Sequence, residues 1–290
     1  MDSLRNMLGN IKKLHLYLIK PSRYDDDGYV VRHWRGVLPS NTLACLAGLT
    51  KDVVAKKELG SLRIRLHLID ESVERVPVKR ICRSQRGKHT RAVVCLVGVQ
   101  TNQFPRATDL ALDFRKADLT VMIGGFHVSG LLALSKAIPP DIAGLMDAGV
   151  TIVKGEVEET WGELLRDAVA GQLKPLYDFL DHKPDLSDKP LPAIDRKYLR
   201  KFVASNFGTL DCGRGCPFHC SFCTIINVQG HQVRARSAER IAQAVRDNYE
   251  RSGVSFYFFT DDNFARNKAW EAVFDALIRL RGRRRSRSGS

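Results

Sequence analysis

The 290-residue sequence predicts an α/β protein whose first part is a Rossmann-like, doubly wound domain. Three observations carry this. Short apolar runs alternate with helical patterns, as in βαβ units. Glycines stand at the C-terminal ends of several of those runs. One run, Ala92–Val99, is apolar without interruption, as expected of a parallel strand buried on both faces.

The elements follow in order. Residues 14–19 (LHLYLI) read as a strand ending in the polar turn KPSRYDDDG. Leu38-Pro39-Ser40-Asn41 looks like a helix start, with apolar periodicity through Leu43, Leu46, Leu49 and Val53. Ile64–Ile69 is the second strand and Ala92–Val99 the third. Thr108–Lys116 has helical character, and Leu119–Ile123 is a strand that ends in Gly124-Gly125. A helix interrupted by Pro139-Pro140 spans 131–147, Val150–Val153 is the fifth strand, and a helix runs from about Glu159 to Ala170. Doubly wound domains bind ligands at the C-terminal ends of their strands, which marks loops 20–37, 100–106 and 124–130. Cys45 and Cys95 lie in apolar runs and read as core residues.

The first domain is placed at 12–172. A linker is expected at 173–200, on the strength of the Pro-, Asp- and Lys-rich HKPDLSDKPLPAIDRK (182–197). A second domain at 201–280 opens with a lead-in, a cysteine-rich loop, a helix at 237–251, a strand at Val254–Phe259 and a helix at 268–280. Two βα units do not close a parallel barrel, so the sequence reads as stopping partway through this domain. RGRRRSRSGS (281–290) reads as a basic low-complexity tail.

Composition narrows the function. Hydrophobic content of 44% supplies a core, and the formal charge of +14 would point to an anionic partner if it were clustered. Six of those charges sit at Arg279, Arg281, Arg283, Arg284, Arg285 and Arg287. The body shows no basic stripe interleaved with aromatics, so nucleic acid is not the expected partner. No apolar stretch approaches membrane-span length and the first twenty residues hold no signal-peptide core, so neither a membrane nor secretion is expected. Seven cysteines, four of them within Cys212–Cys223, point to metal or redox chemistry in a reducing cytoplasm.

That run reads Cys212-Gly-Arg-Gly-Cys216-Pro-Phe-His-Cys220-Ser-Phe-Cys223. Thiolates ligate iron–sulfur clusters, and one loop with short spacings can wrap one cluster. Cys216, Cys220 and Cys223 have CxxxCxxC spacing, and three ligands on a four-iron cube leave one iron open. The alternative is a structural zinc site with Cys212 as the fourth ligand, although zinc ribbons usually pair two distant CxxC knuckles. With it goes a second functional class: a non-catalytic nucleic-acid-binding protein with a metal knuckle and a basic tail.

RGCPFHCSFC resembles the cluster loop of the radical S-adenosylmethionine superfamily. The resemblance implies a (βα)6-type partial barrel and a [4Fe–4S] cluster on Cys216, Cys220 and Cys223. It implies that S-adenosylmethionine chelates the open iron and is cleaved to a 5′-deoxyadenosyl radical. An external reductant such as flavodoxin or ferredoxin and a small-molecule substrate are implied as partners. Phe222 matches the aromatic that packs near the adenine, and Cys212 departs from the pattern. FFTDDNF (258–264) resembles the DDNF-type strand end of the cobalamin-associated branch, which makes Asp261, Asp262 and Asn263 candidate contacts to S-adenosylmethionine. Helix capping explains any one of them but accounts less well for three in a row at a strand end.

The element order of the first domain, and the strand end Gly124-Gly125-Phe126-His127, resemble the cobalamin-binding domain found upstream of many such enzymes. The resemblance implies that Gly124 and Gly125 let a corrin approach, that its base tail slots beside the sheet, and that His127 lies near it. A histidine bonded to a neighbouring loop is the plain reading of His127. The branch's Asp-x-His-x-x-Gly signature is broken here: Val31 stands where Asp is expected before His33 and Gly36. His33 therefore lacks the partner that orients an axial ligand. Gly155-Glu156-Val157-Glu158 resembles the family's turn after the last strand, or merely favours a helix N-terminus. Arg234 and Arg236 are candidate contacts for anionic groups.

Overall fold

The computed structural model describes residues 10–285, with side chains through Arg281. Six parallel strands form the first sheet: β1 (Lys13–Lys20), β2 (Arg63–Asp70), β3 (Thr90–Leu96), β4 (Thr120–Gly124), β5 (Thr151–Gly155) and β6 (Leu176–Phe179), in the order β2-β1-β3-β4-β5-β6. Helices α1 (Asn41–Ala55) and α6 (Trp161–Ala170) cover one face. Helices α2 (Val78–Arg83), α3 (Phe104–Arg115) and α5 (Pro140–Asp147) cover the other, and α4 (Phe126–Leu134) follows β4. The alternation along β1 explains both layers. Leu14, Leu16 and Leu18 pack toward α1 and α6, while Tyr17 and Ile19 pack toward α2 and α3. The strand order reverses between β1 and β3, so the domain is doubly wound as expected, with its switch point there.

Two stretches of the first unit and its connection differ from expectation. The interrupted helix is two separate helices, because Pro139 and Pro140 force a new start at α5. The stretch expected as a linker is structured. It contains β6, which extends the sheet beside β5, and the short helix α7 (Arg196–Leu199). Between them the chain lies across α1, where the Ala193 N–H bonds to the Ala44 carbonyl at 2.9 Å. Gly48 permits this crossing, since a Cβ there would stand 2.1 Å from the Leu191 carbonyl oxygen. Composition marked the segment as loop without showing that it is packed.

The second unit holds β7 (Phe207–Leu210) and β10 (Phe256–Phe259), parallel neighbours, with α9 (Ala238–Ser252) and α10 (Trp270–Arg285) packed against them. These are the first βα units of a partial barrel. Between β7 and α9 lies the cysteine-rich segment, framed by a two-residue antiparallel pair, β8 (Gly213–Arg214) and β9 (Arg234–Ala235), with the short helix α8 (Ile225–Val228) inside it. Helix α10 continues to Arg285, five residues into the stretch expected as a low-complexity tail; the remainder, 286–290, lies outside the described residues. No helix among the described residues is long and apolar enough to cross a membrane.

Candidate functional site

A cavity of about 310 Å³ opens between the C-terminal edge of the first sheet and the second unit. Its apolar walls are side chains of α1 and α6 with the strands beside them, among them Leu46, Leu49, Met122, Val153 and Trp161. Trp161 is held by its indole N–H, which donates to Thr50 Oγ1 at 3.0 Å. Gly98, Gly124 and Gly125 form the floor. Gly125 has φ +148°, and a Cβ there would stand 2.2 Å from the Val99 nitrogen, so the close passage of β4 by the β3 loop requires glycine. Of the three loops marked by topology, 124–130 reaches the cavity and 20–37 and 100–106 do not. Loop 20–37 is tied down elsewhere: the Ser22 hydroxyl donates to the Val31 carbonyl at 2.5 Å, and the His33 N–H bonds to the Ser72 carbonyl at 2.7 Å.

The opposite wall comes from the second unit and is polar: Asp211, Arg214, Thr260 and Asp262. Asp211 and Arg214 flank the start of the cysteine segment, two to five residues before Cys216. Burial pushes the Asp211 carboxyl up, but Arg236 and Arg214 more than offset this and hold it at about 2. Arg236 is fully buried and donates to Asp211 Oδ2 at 3.0 Å, so the anionic group expected for it is a neighbouring side chain. Asn41 donates to Asp211 Oδ1 at 3.2 Å. Its own carbonyl oxygen Oδ1 and Thr260 Oγ1 are buried at the cavity without a hydrogen-bond partner among the described residues.

The cysteines separate into two kinds. Cys212 is fully buried beside Leu210 and Ile241, and burial pushes its thiol pKa up. It is a core residue at the end of β7. Cys220 is exposed, Cys216 and Cys223 are half-buried, and all three are free thiols. Among the described residues no three Cys, His, Asp or Glu side chains converge closely enough to hold a single metal ion. A four-cysteine zinc site needs its thiols around one point, and Cys212 is instead packed in an apolar cluster, apart from the half-buried and exposed thiols of Cys216, Cys220 and Cys223. The loop is braced from within by stacking of His219 on His231, with ring centroids 4.3 Å apart.

The structure divides the other expected residues. Phe222 stands 89% exposed beside Cys223. Asp262 reaches the cavity, but Asp261 turns away: its carboxylate accepts the Cys212 N–H at 2.9 Å. Burial raises the Asp261 pKa to about 6, against the opposing pull of that N–H. Asn263 starts a single 3₁₀ turn, its carbonyl accepting the Arg266 N–H. His127 lies beside the cavity floor, not in it. Its ring packs on Phe104 with centroids 4.2 Å apart, Nδ1 sits 3.3 Å from Thr101 Oγ1, and burial lowers its pKa. Sequence reasoning missed Asn41, Asp211, Arg214 and Thr260. Asp211 and Arg214 carried one signal, charged residues inside an otherwise apolar and glycine-rich approach to the cysteines.

No family model matches the sequence. Among curated proteins, the chain is 32% identical over 197 residues to bacteriochlorophyllide d C-8(2)-methyltransferase of Chlorobaculum tepidum, covering 61% of this chain and 40% of that protein. It is 25% identical to the hopanoid C-2 methylase of Rhodopseudomonas palustris, over 63% of this chain and 32% of that one. It is 26% identical to the cytidylyl-2-hydroxyethylphosphonate methyltransferase of Streptomyces wedmorensis, over 59% and 34%. The chain thus spans well under half the length of these relatives. Among solved structures it resembles the radical S-adenosylmethionine methyltransferase TsrM of Kitasatospora setae with cobalamin and a [4Fe–4S] cluster bound. The TM-score is 0.60 at 14% identity, over 95% of this chain and 53% of that one. The cobalamin-dependent radical enzyme OxsB gives 0.58 at 15% identity, over 93% and 37%. These likenesses establish the shared fold.

Proposed function

We propose that this chain serves a cobalamin-associated radical S-adenosylmethionine methyltransferase, with Cys216, Cys220 and Cys223 holding a [4Fe–4S] cluster. One observation carries the reading: the segment bearing CxxxCxxC is rooted at the cavity that the first sheet opens at its strand ends, where its two ends, Gly213-Arg214 and Val228-Gln229, line the wall. Two cofactor sites of the kind found in TsrM would here be neighbours. Support comes also from the methyltransferase relatives and from the donor set, three free thiols within eight residues.

The residues fit the groups. Ligands of a four-iron cube bind different irons, so they need not converge on one point, as these thiols do not. The glycine floor and apolar walls suit a flat heteroaromatic tail beside the sheet. The unpaired oxygens of Asn41 and Thr260 are acceptors that the amide N–H groups of a corrin rim would satisfy. When bound, the cluster supplies an electron to S-adenosylmethionine and cobalamin supplies a methyl carrier. The chain's own contributions are more modest. Leu46, Leu49, Met122, Val153 and Trp161 exclude water, Asp262 presents a carboxylate beside the second unit's strand end, and Phe222 offers an aromatic face next to Cys223. Asp261 positions the β7 loop through the Cys212 N–H, which leaves Asp262 the better placed contact of the acidic pair. An outside reductant and a small-molecule substrate complete the reading.

Anaerobic reconstitution with iron and sulfide tests it. The chain should take up about four irons with equal sulfide and turn brown. Cys216→Ser, Cys220→Ser or Cys223→Ser should each abolish most of that uptake, and Cys212→Ser should leave it intact. One zinc per chain with no labile sulfide would replace this reading with the structural-knuckle alternative.

A further inference from the structure

Glu156 and Glu158 follow β5, and as side chains they are only 7% and 5% exposed. Two carboxylates so enclosed are costly unless cations meet them. The cations come from the other unit. Arg214 on β8 sits 2.8 Å from Glu156 Oε2 and 2.5 Å from Glu158 Oε1, and its Nε reaches Asp211 Oδ2 at 3.2 Å. Arg234, opposite on β9, forks onto Glu156 and donates to the carbonyls of Pro184 at 2.9 Å and Gln229 at 3.0 Å. With Arg236 on Asp211, three cations meet three carboxylates and the group is neutral.

The location gives this cluster its meaning. Arg214 and Arg234 are paired across the two strands that frame the cysteine segment, one just before Cys216 and the other after the loop has returned. The loop's base is further tied by the Gly215 N–H to Gln229 Oε1 at 3.1 Å and the Cys216 N–H to the Gly230 carbonyl at 3.2 Å. The first sheet therefore grips both ends of the segment through two side chains of one turn. Neither carboxylate caps α6, whose N-terminus has no side-chain cap, and both are instead taken up by arginines of the other unit.

We infer that Glu156 and Glu158 are positioning residues that lock the base of the cysteine loop against the first sheet. The proposed function bears only on which group the loop holds, and the lock is testable in the cofactor-free chain. Its readout is the rate at which iodoacetamide alkylates each cysteine of the intact protein, followed by mass spectrometry at several pH values so that the thiolate fraction is divided out. Glu156→Gln with Glu158→Gln should raise the Cys216 rate roughly tenfold, because opening then breaks fewer charge-assisted bonds. Cys220, already exposed, should change little. Cys95, buried in the first core, should stay unreactive and certify that the domain is folded. Arg214→Lys, which keeps the charge but loses the fork, should fall between. If the double variant exposes Cys95, Arg234→Gln replaces it and should raise the Cys216 rate severalfold. A Cys216 rate within about twofold of the parent in a folded variant overturns the inference. A parent that takes up no iron, with the alkylation pattern intact, sinks the proposed function and leaves the lock standing.

Discussion

The two parallel sheets of this molecule reach order by different means. In the first, β1 and β3 are covered on both faces, and Leu14, Leu16, Val93 and Val94 are wholly buried. In the second, β10 has helices on one face only. Tyr257 and Phe259 pack under α9 and α10, while Phe256 and Phe258 on the other face remain 60% and 49% exposed. The first unit is held by its own apolar core. The second borrows order from the first through the Arg214 and Arg234 ion pairs, the packed 182–197 segment, and the bond from Thr209 Oγ1 to the Pro39 carbonyl. The cysteine loop hangs from the borrowed part, which explains why its footing is ionic.

The largest effect that would break this comparison is a hole in the first core. Phe114 of α3 is fully buried among Leu110, Leu119 and Ile142. Phe114→Ala should cost about 3–5 kcal/mol. Because the second unit leans on the first, urea unfolding followed by circular dichroism should show both units lost at a lower midpoint. Retention of the wild-type midpoint would mean that the first core is not the foundation.

A smaller effect sharpens the comparison through pH. Asp261 and Asp211 both serve the junction, with opposite signs. The folded Asp261 carboxyl titrates at about 6, above an unfolded value of about 4. Its contribution is complete below pH 4 or so and is lost as pH rises through 6. Asp211, held at about 2, contributes fully above pH 4 and loses that contribution as pH falls toward 2. Asp261→Asn should therefore remove a decline in urea midpoint between about pH 4 and pH 6, the window between the two values, and leave the acid limb alone. Equal slopes in parent and variant across that window would show that Asp261 is not protonated preferentially in the folded chain.

How much was legible follows the same division. Strand β1 and helix α1 could be read because burial writes itself into the sequence: a short apolar run in LHLYLI, and Leu43, Leu46 and Leu49 at helical spacing. The CxxxCxxC spacing was legible because one short loop supplies all three thiols. Strand β6 was not, since LYDF is brief and follows a proline, and its place is decided by the neighbouring β5. The junction was least legible. Glu156 meets Arg214 and Arg234 from 58 and 78 residues away, and Asn41 meets Asp211 across 170, pairings that no local pattern announces. The acidic pair at 261–262 looked like one feature and proved to be two, because successive residues at a strand end point to opposite sides.

The smallest effect tests the exposed face of β10. If Phe258 is open to solvent in this chain, Phe258→Gln removes no buried contact and should shift stability by no more than about 0.5 kcal/mol. It should also reduce self-association in sedimentation, since an edge strand with exposed phenylalanines is a template for pairing. A loss of several kcal/mol would show that Phe258 is covered in solution, and that β10 then rests on a core of its own. The second unit would not need to borrow its order, and the contrast between the two sheets would fail at its weaker side.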